Sequence, residues 1–340
     1  MNSDIATGFA ITFFGGAIMG ANLVPLKWIR VWKWENFWFV YSIASLLIVP
    51  SCLAFLLVPH LGRVYASVPL STMVKPFTYG ALWGIAQLGA GICVSKIGLA
   101  LTGSILNGLC AAFGTLTPLI VQHSNEVFKP SGLLLLAGIA VMLIGVTLCG
   151  WSGYQRERMQ SAAVGKKPNL AYFAVMLLAV ISGLLAALLN IALAFGDEIV
   201  GLARAEGAPA HWAVFSVWPL ALLGGMIVNL AYSSYLLSRN HTWRNFFDRP
   251  LEVGGPIAGG SVWMIAIAIY SSGTVFLGLL GVSVGWALFQ ITMILSGNLA
   301  GIWTGEWRAT GSTIFGVNLT GVVTLLVATI VIASANYMIR

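Results

Sequence analysis

Charge is what this sequence has least of. Of its 340 residues, 17 are Lys or Arg and 10 are Asp or Glu, 8% in all. A soluble domain carries roughly 25%, because a surface facing water needs them. A chain this poor in charge cannot cover a watery exterior, so most of its surface faces lipid. No polar stretch is long enough to fold as a separate soluble domain. The four cysteines, Cys52, Cys93, Cys110 and Cys149, all sit in apolar stretches without metal-ligand spacing, and they read as small packing residues. The four histidines (His60, His123, His211 and His241) fall in loops or at span ends and are not spaced as ligands. There is no H-E-x-x-H, no G-x-S-x-G elbow, no deep aspartate pair and no phosphate-binding P-loop. Neither a metal nor another cofactor is expected. No Lys/Arg run exceeds two residues and no basic-aromatic platform appears, so the formal charge of +7 belongs to orienting loops and nucleic acid is not an expected partner. The first segment lacks a basic n-region and is too long in its apolar part for a cleavable signal.

What is abundant is apolar sequence: 59% of the chain is hydrophobic and the mean hydropathy is +0.91. A span needs roughly 20 apolar residues to cross about 30 Å. Charges and Pro/Gly clusters divide the chain into ten candidates: 5–26, 37–58, 76–95, 97–122, 131–151, 170–195, 212–237, 256–272, 277–304 and 311–338. Between Glu252 and Glu306 lie 53 uncharged residues. One helix of that length would be about 80 Å long, so this is two spans joined in the stretch Ser271-Ser272-Gly273 to Gly278. Alternate loops hold twelve and five of the Lys and Arg residues. The richer set belongs in the cytoplasm, which puts both termini outside and the loop 152–169 inside.

The expected fold is therefore an all-α polytopic membrane protein of about ten helices, with residues 1–151 and 170–340 as two inverted five-helix repeats around a basic connector, 152–169. A shift of 180 residues lays Gly80-Ala-Leu-Trp83 on Gly260-Ser-Val-Trp263, Gly98-Leu99 on Gly278-Leu279 and Glu126 on Glu306. A shift of 168 lays Gly15 and Asn22 on Gly183 and Asn190. Inverted halves recur in secondary transporters because they can rock about one central site.

Several short motifs then fall in order along the chain. They are Trp34-Glu35-Asn-Phe-Trp38, Leu70-Ser71-Thr72, Gly80-Ala-Leu-Trp83-Gly84-Ile85, Leu116-Thr117-Pro118-Leu119-Ile120, Asn190, Asn229, Trp263 to Tyr270-x-x-Gly273, and Gly305-Glu306-Trp307. In this order and spacing the sequence resembles the L-rhamnose–proton symporter family of the drug/metabolite transporter superfamily. That resemblance implies ten helices in two inverted halves, and proton-driven uptake of a deoxyhexose across the bacterial inner membrane.

A small neutral sugar needs hydrogen-bond partners for its hydroxyls and an aromatic face for its C–H side, and amides supply the former without the desolvation cost of a charge. The candidate substrate-binding residues are Asn22, Trp83, Gln87, Asn107, Asn190, Trp218, Trp263, Tyr270, Trp286 and Gln290. Trp83 and Gln87, like Trp286 and Gln290, are four apart and share a helix face; Trp263 and Tyr270 are two turns apart on one stripe. The bland role for any of these amides is interhelical glue. No Asp or Glu sits deep in a span; the nearest are Glu35, Asp197, Glu198 and Glu306. Glu35 and Glu306 stand in the family-like motifs and are the candidates for proton coupling. A transporter or exchanger of another small metabolite and, more remotely, an intramembrane enzyme stay open at this level; the oligomeric state is not readable.

Overall fold

A computed structural model of the chain describes residues 2–20, 22, 25, 29–160, 170–305, 307–308 and 310–338. Glu306 and most of the connector, 161–169, lie outside the described residues. Among the described residues ten long helices carry the fold and no strand occurs. Helix α1 is Asn2–Met19, α2 Trp34–Leu57, α3 Leu70–Ile97, α4 Leu99–Gln122 and α5 Pro130–Gln160. Helix α6 is Leu170–Ala186, continued after a break at Ala187 by Leu188–Ala194. Helix α7 is Trp218–Arg239, α8 Gly254–Thr274, α9 Gly281–Trp303 and α10 Ser312–Tyr337. A nine-residue helix, Asp197–Ala205, follows α6.

Nine helical segments among the described residues are long and apolar enough to cross a membrane. The exception is α1, whose 18 residues end at Met19, short of the expected limit at 26. Two helices outrun the expected spans, α3 beginning at Leu70 and α5 continuing to Gln160, because charge and proline mark where lipid ends and not where hydrogen bonding stops, whereas α9, Gly281–Trp303, falls inside the expected 277–304. Large apolar side chains such as Phe14, Phe55, Leu56, Phe173, Leu177 and Ile330 point outward, which costs nothing where the surroundings are hydrocarbon.

The break between α8 and α9 falls in the uncharged 53-residue stretch. Here α8 ends in a 3-10 turn, Val275–Leu277, and Gly278 follows at φ +81° and ψ −149°, a conformation that only a residue without a Cβ adopts readily. Helix α2 is irregular too. Ala44–Ile48 forms a π-helical turn just ahead of Pro50. Proline has no N–H and its ring crowds the carbonyl four residues back; the wider turn accommodates both defects.

The helices pack in a regular scheme. Helix α1 lies on α8 and α9, and α6 lies on α3 and α4. Helix α3 packs on α7 and α8 on α2; α4 packs on α5 and α9 on α10. The pairs α2–α7, α4–α9 and α5–α10 face one another. Helices α3 and α7 touch backbone to backbone. A Cβ on Gly80 would overlap the carbonyl oxygen of Ala221, and one on Gly224 would overlap that of Phe77. Such reciprocal glycines let two helices approach until dispersion acts along their whole crossing. Gly80→Val is expected to cost about 1–3 kcal/mol by overpacking, whereas Gly62→Ala, where nothing lies within 4 Å, leaves stability unchanged. Thermal unfolding in detergent, followed by tryptophan fluorescence, compares the two.

Candidate functional site

Two cavities open at opposite ends of the same helices. The first, about 270 Å³, is lined by Gln122 and His123 at the end of α4, Ala194 at the end of α6, Asp197 and Arg204 on the following helix, and Thr274 to Ser283 at the α8–α9 break. The second, about 400 Å³, lies between Met19 and Asn22, Ser104 and Asn107 on α4, Arg156 and Glu157 on α5, and Met293 and Asn298 on α9. Pockets for small molecules run from about 300 to 1,000 Å³. Helices α4 and α9 thus line both cavities, from opposite ends.

Between the cavities is a closed layer of aromatic and amide groups, each placed by a local feature of its helix. The break at Ala187 sets Asn190 one turn later, where its backbone N–H bonds Ala187 O at 3.1 Å and its side chain is fully buried. Asn190 Nδ2 donates to Gly114 O of α4 at 2.9 Å, and the Tyr270 hydroxyl of α8 donates to Asn190 Oδ1. Trp286 Nε1 of α9 donates to Cys110 O of α4 at 3.0 Å. Gly114 permits this approach, since a Cβ there would collide with the Trp286 indole. Tyr270 meets Trp286 edge-on at 5.3 Å and Phe289 at 5.0 Å, while Trp286 stacks on Phe289 at 5.7 Å. Such aromatic pairs add about 0.5–1.5 kcal/mol each beyond burial. Gln290 is buried on the same helix, one turn after Trp286. Trp218 Nε1 donates to Ser271 Oγ, beside Tyr270, at 3.1 Å. Five of the candidate residues, Asn190, Trp218, Tyr270, Trp286 and Gln290, therefore belong to or brace this layer. Thr115, next to Gly114, and Ser283, at the first cavity, are buried hydroxyls without a hydrogen-bond partner among the described residues.

The other candidates are distributed. Asn22 and Asn107 line the second cavity, and Asn22 Nδ2 also reaches Tyr41 OH at 3.3 Å. Trp83 and Trp263 lie ring to ring at 5.6 Å, in the same apolar cluster as Met19 and Met293 of that cavity's wall. Gln87 is half-buried on α3 and lines neither cavity. Glu35 lines neither cavity. Its Oε1 accepts from Asn240 Nδ2 at 3.0 Å and Thr242 Oγ1 at 2.9 Å, tying the start of α2 to the loop after α7. Glu252 strengthens the same junction by accepting the N–H groups of Val31 and Trp32.

Sequence reasoning passed over the carboxylate of the second cavity. Glu157 Oε1 accepts the Ala100 N–H at 2.9 Å, satisfying a first-turn amide of α4; the neighbouring Arg156 guanidinium sits 4.8 Å from the Trp307 ring. The run Arg156-Glu157-Arg158 reads as loop charge, and only the length of α5 brings it back against α4. Asp197 was visible as an acid near a span, but its cavity was not.

The family model described as L-rhamnose-proton symport protein (RhaT) matches residues 1–336. The L-rhamnose-proton symporter of Yersinia pestis (strain Pestoides F) is 26% identical over 320 residues, 91% of each chain. That of Pectobacterium atrosepticum is 26% identical over 338 residues, 96% of this chain and 97% of the relative. The apolar helices make this a multi-pass membrane protein, and with the family match over nearly its full length the chain belongs to the L-rhamnose-proton symport proteins, a family of transporters and not of enzymes.

Proposed function

We propose that the protein carries L-rhamnose or a closely related deoxyhexose across the inner membrane together with protons, by alternating access between two inverted five-helix halves, 1–151 and 170–340. The observation that carries this reading is the pair of cavities at opposite ends of α4 and α9, parted by a layer that both halves build. The helix pairings support the inverted halves. Matching each of α1–α5 with the helix five places later turns α1 on α8 into α6 on α3, α3 on α7 into α8 on α2, and α4 on α5 into α9 on α10. The ends of α1 at Met19 and of the first part of α6 at Ala186 also nearly correspond, 167 residues apart, and each is followed within four residues by a candidate asparagine, Asn22 or Asn190. Helices interrupted at a central site are a recurring device of such carriers.

The charge count in the loops puts the first cavity outside and the second in the cytoplasm, with both termini outside. A sugar entering the first cavity finds the Asn190 amide, the Tyr270 hydroxyl and the free hydroxyls of Thr115 and Ser283 as partners, and the Trp286 ring as an apolar face. Its hydroxyls replace the bonds from Tyr270 to Asn190 and from Asn190 to Gly114. The second of these bonds joins the two halves and the first braces it, so binding loosens the layer it must pass. Asn22, Asn107 and Asn298 receive the sugar in the second cavity.

Uptake of radiolabelled L-rhamnose into cells or vesicles, with an external pH electrode, tests the reading. Sugar-dependent alkalinisation that an uncoupler abolishes is the expected result; uptake without it removes the coupling, and no uptake by folded, inserted protein removes the sugar. Tyr270→Phe separates transport from stability. One interhelical hydrogen bond in a membrane protein contributes about 0.6 kcal/mol on average. The variant is therefore expected to unfold within a few degrees of the parent, yet to lose transport by about tenfold, a larger energy than the bond itself supplies to folding.

A further inference from the structure

Resting on the proton-coupled reading above, we infer that Asp197 is the group that takes up the coupled proton in the first cavity. The layer between the cavities offers no carboxylate or imidazole among its described residues; its titratable side chains are the Tyr270 phenol and the Cys110 thiol, both buried. A proton arriving with the sugar therefore loads before the layer, and Asp197 is the carboxylate that lines the cavity there.

Its surroundings suit the task. Gln122 Nε2, at the end of α4, donates to Ala194 O of α6 and reaches Asp197 Oδ2 at 3.4 Å. The ionised carboxylate thus accepts a bond that helps close the α4–α6 seam. A proton on Oδ2 removes the charge and makes that oxygen a donor with less capacity to accept, so the contact from Gln122 weakens. Asn190 bonds Gly114 on the same seam, seven residues earlier, roughly 10 Å along the helix direction. Sugar and proton each loosen one fastening of one seam, and this makes each favour the binding of the other.

The basic groups facing Asp197 are His123 at the end of α4 and Arg204 on its own helix. Burial is the larger influence and favours the neutral acid, so the carboxylate takes up a proton readily, while these groups favour the anion and help the proton leave. Other groups nearby are otherwise engaged. Glu198 accepts from Thr72 Oγ1 at 2.8 Å, the Tyr65 hydroxyl donates to Ser216 O, and His211 stacks on Phe276. Arg63, on the Leu61–Ser67 helix packed alongside, is exposed.

The test uses full-length protein in proteoliposomes, comparing L-rhamnose counterflow without a gradient, accumulation driven by an inward proton gradient, and sugar-dependent proton entry read by a trapped pH dye. Asp197→Asn is expected to keep counterflow within about twofold and to lose driven accumulation and proton entry by about tenfold or more, with Asp197→Glu restoring both. Arg204→Gln, which leaves Asp197 in place, is expected to move the alkaline limb of the accumulation profile upward by about half a pH unit or more, because the anion has lost a partner. The assignment is overturned if Asp197→Asn accumulates the sugar like the parent, if it loses counterflow along with accumulation, or, should that variant not fold, if Arg204→Gln leaves the profile where it was. A parent that exchanges the sugar but neither accumulates it nor admits protons overturns the coupled reading itself, which the parent's behaviour alone distinguishes from failure of Asp197.

Discussion

One asparagine side chain joins three helices in the layer between the two cavities. Asn190 is on α6, accepts from Tyr270 on α8 and donates to Gly114 on α4. In hydrocarbon an unpaired amide is costly, so this side chain must keep both partners or replace them in kind. On the function proposed above, that constraint makes the layer selective as well as closed. Water cannot be admitted freely past Phe289 and Trp286, but a ligand bearing several hydroxyls can satisfy the amide while it separates the helices. The Trp286 bond to Cys110 adds the same logic from α9, and Gly114 serves both contacts by offering a bare carbonyl and no side chain.

Around that layer the fold divides its work between tight and adjustable contacts. Helices α3 and α7 meet through glycines whose backbones touch, and the α1–α2 loop and the start of α2 are clamped to the segment between α7 and α8 through Glu252 and Glu35. The cavity ends are held by a few side-chain bonds instead: Gln122 to Ala194 and Asp197 at one, Glu157 to Ala100 at the other. Rigid crossings with weakly fastened ends let helices tilt as bodies without losing internal hydrogen bonds, the only economical motion for a chain in lipid.

Much of this was legible in the residues. Apolar runs and loop charge named the helices, and an amide inside an apolar helix announced itself at Asn190 and Gln290. Neighbours on other helices were harder to read. Spacing put Gln87 on one face with Trp83, yet nothing local says which helix that face meets, and Trp83 turned to Trp263 while Gln87 stayed outside both cavities. Trp263 and Tyr270 share a stripe but serve different places, because seven residues of helix already span roughly 10 Å. Glu35 looked like a membrane-edge acid and is engaged by a loop; Glu157 looked like loop charge and lines a cavity, since the water-exposed end of α5 leaves no apolar trace of its length.

The π-turn at Ala44–Ile48 also sets a rotational register. A regular helix advances about 100° per residue, and the wide turn inserts an extra residue between the two parts of α2. Trp38, bonded to Asn229 at 2.8 Å, and Ala54, fully buried beyond the turn, keep their present faces only because of it. Straightening α2 would swing one part against the other like a key in a lock, carrying either Trp38 or Ala54 off its contact. The helix thus stores in its backbone an angular offset that one proline, Pro50, helps to set.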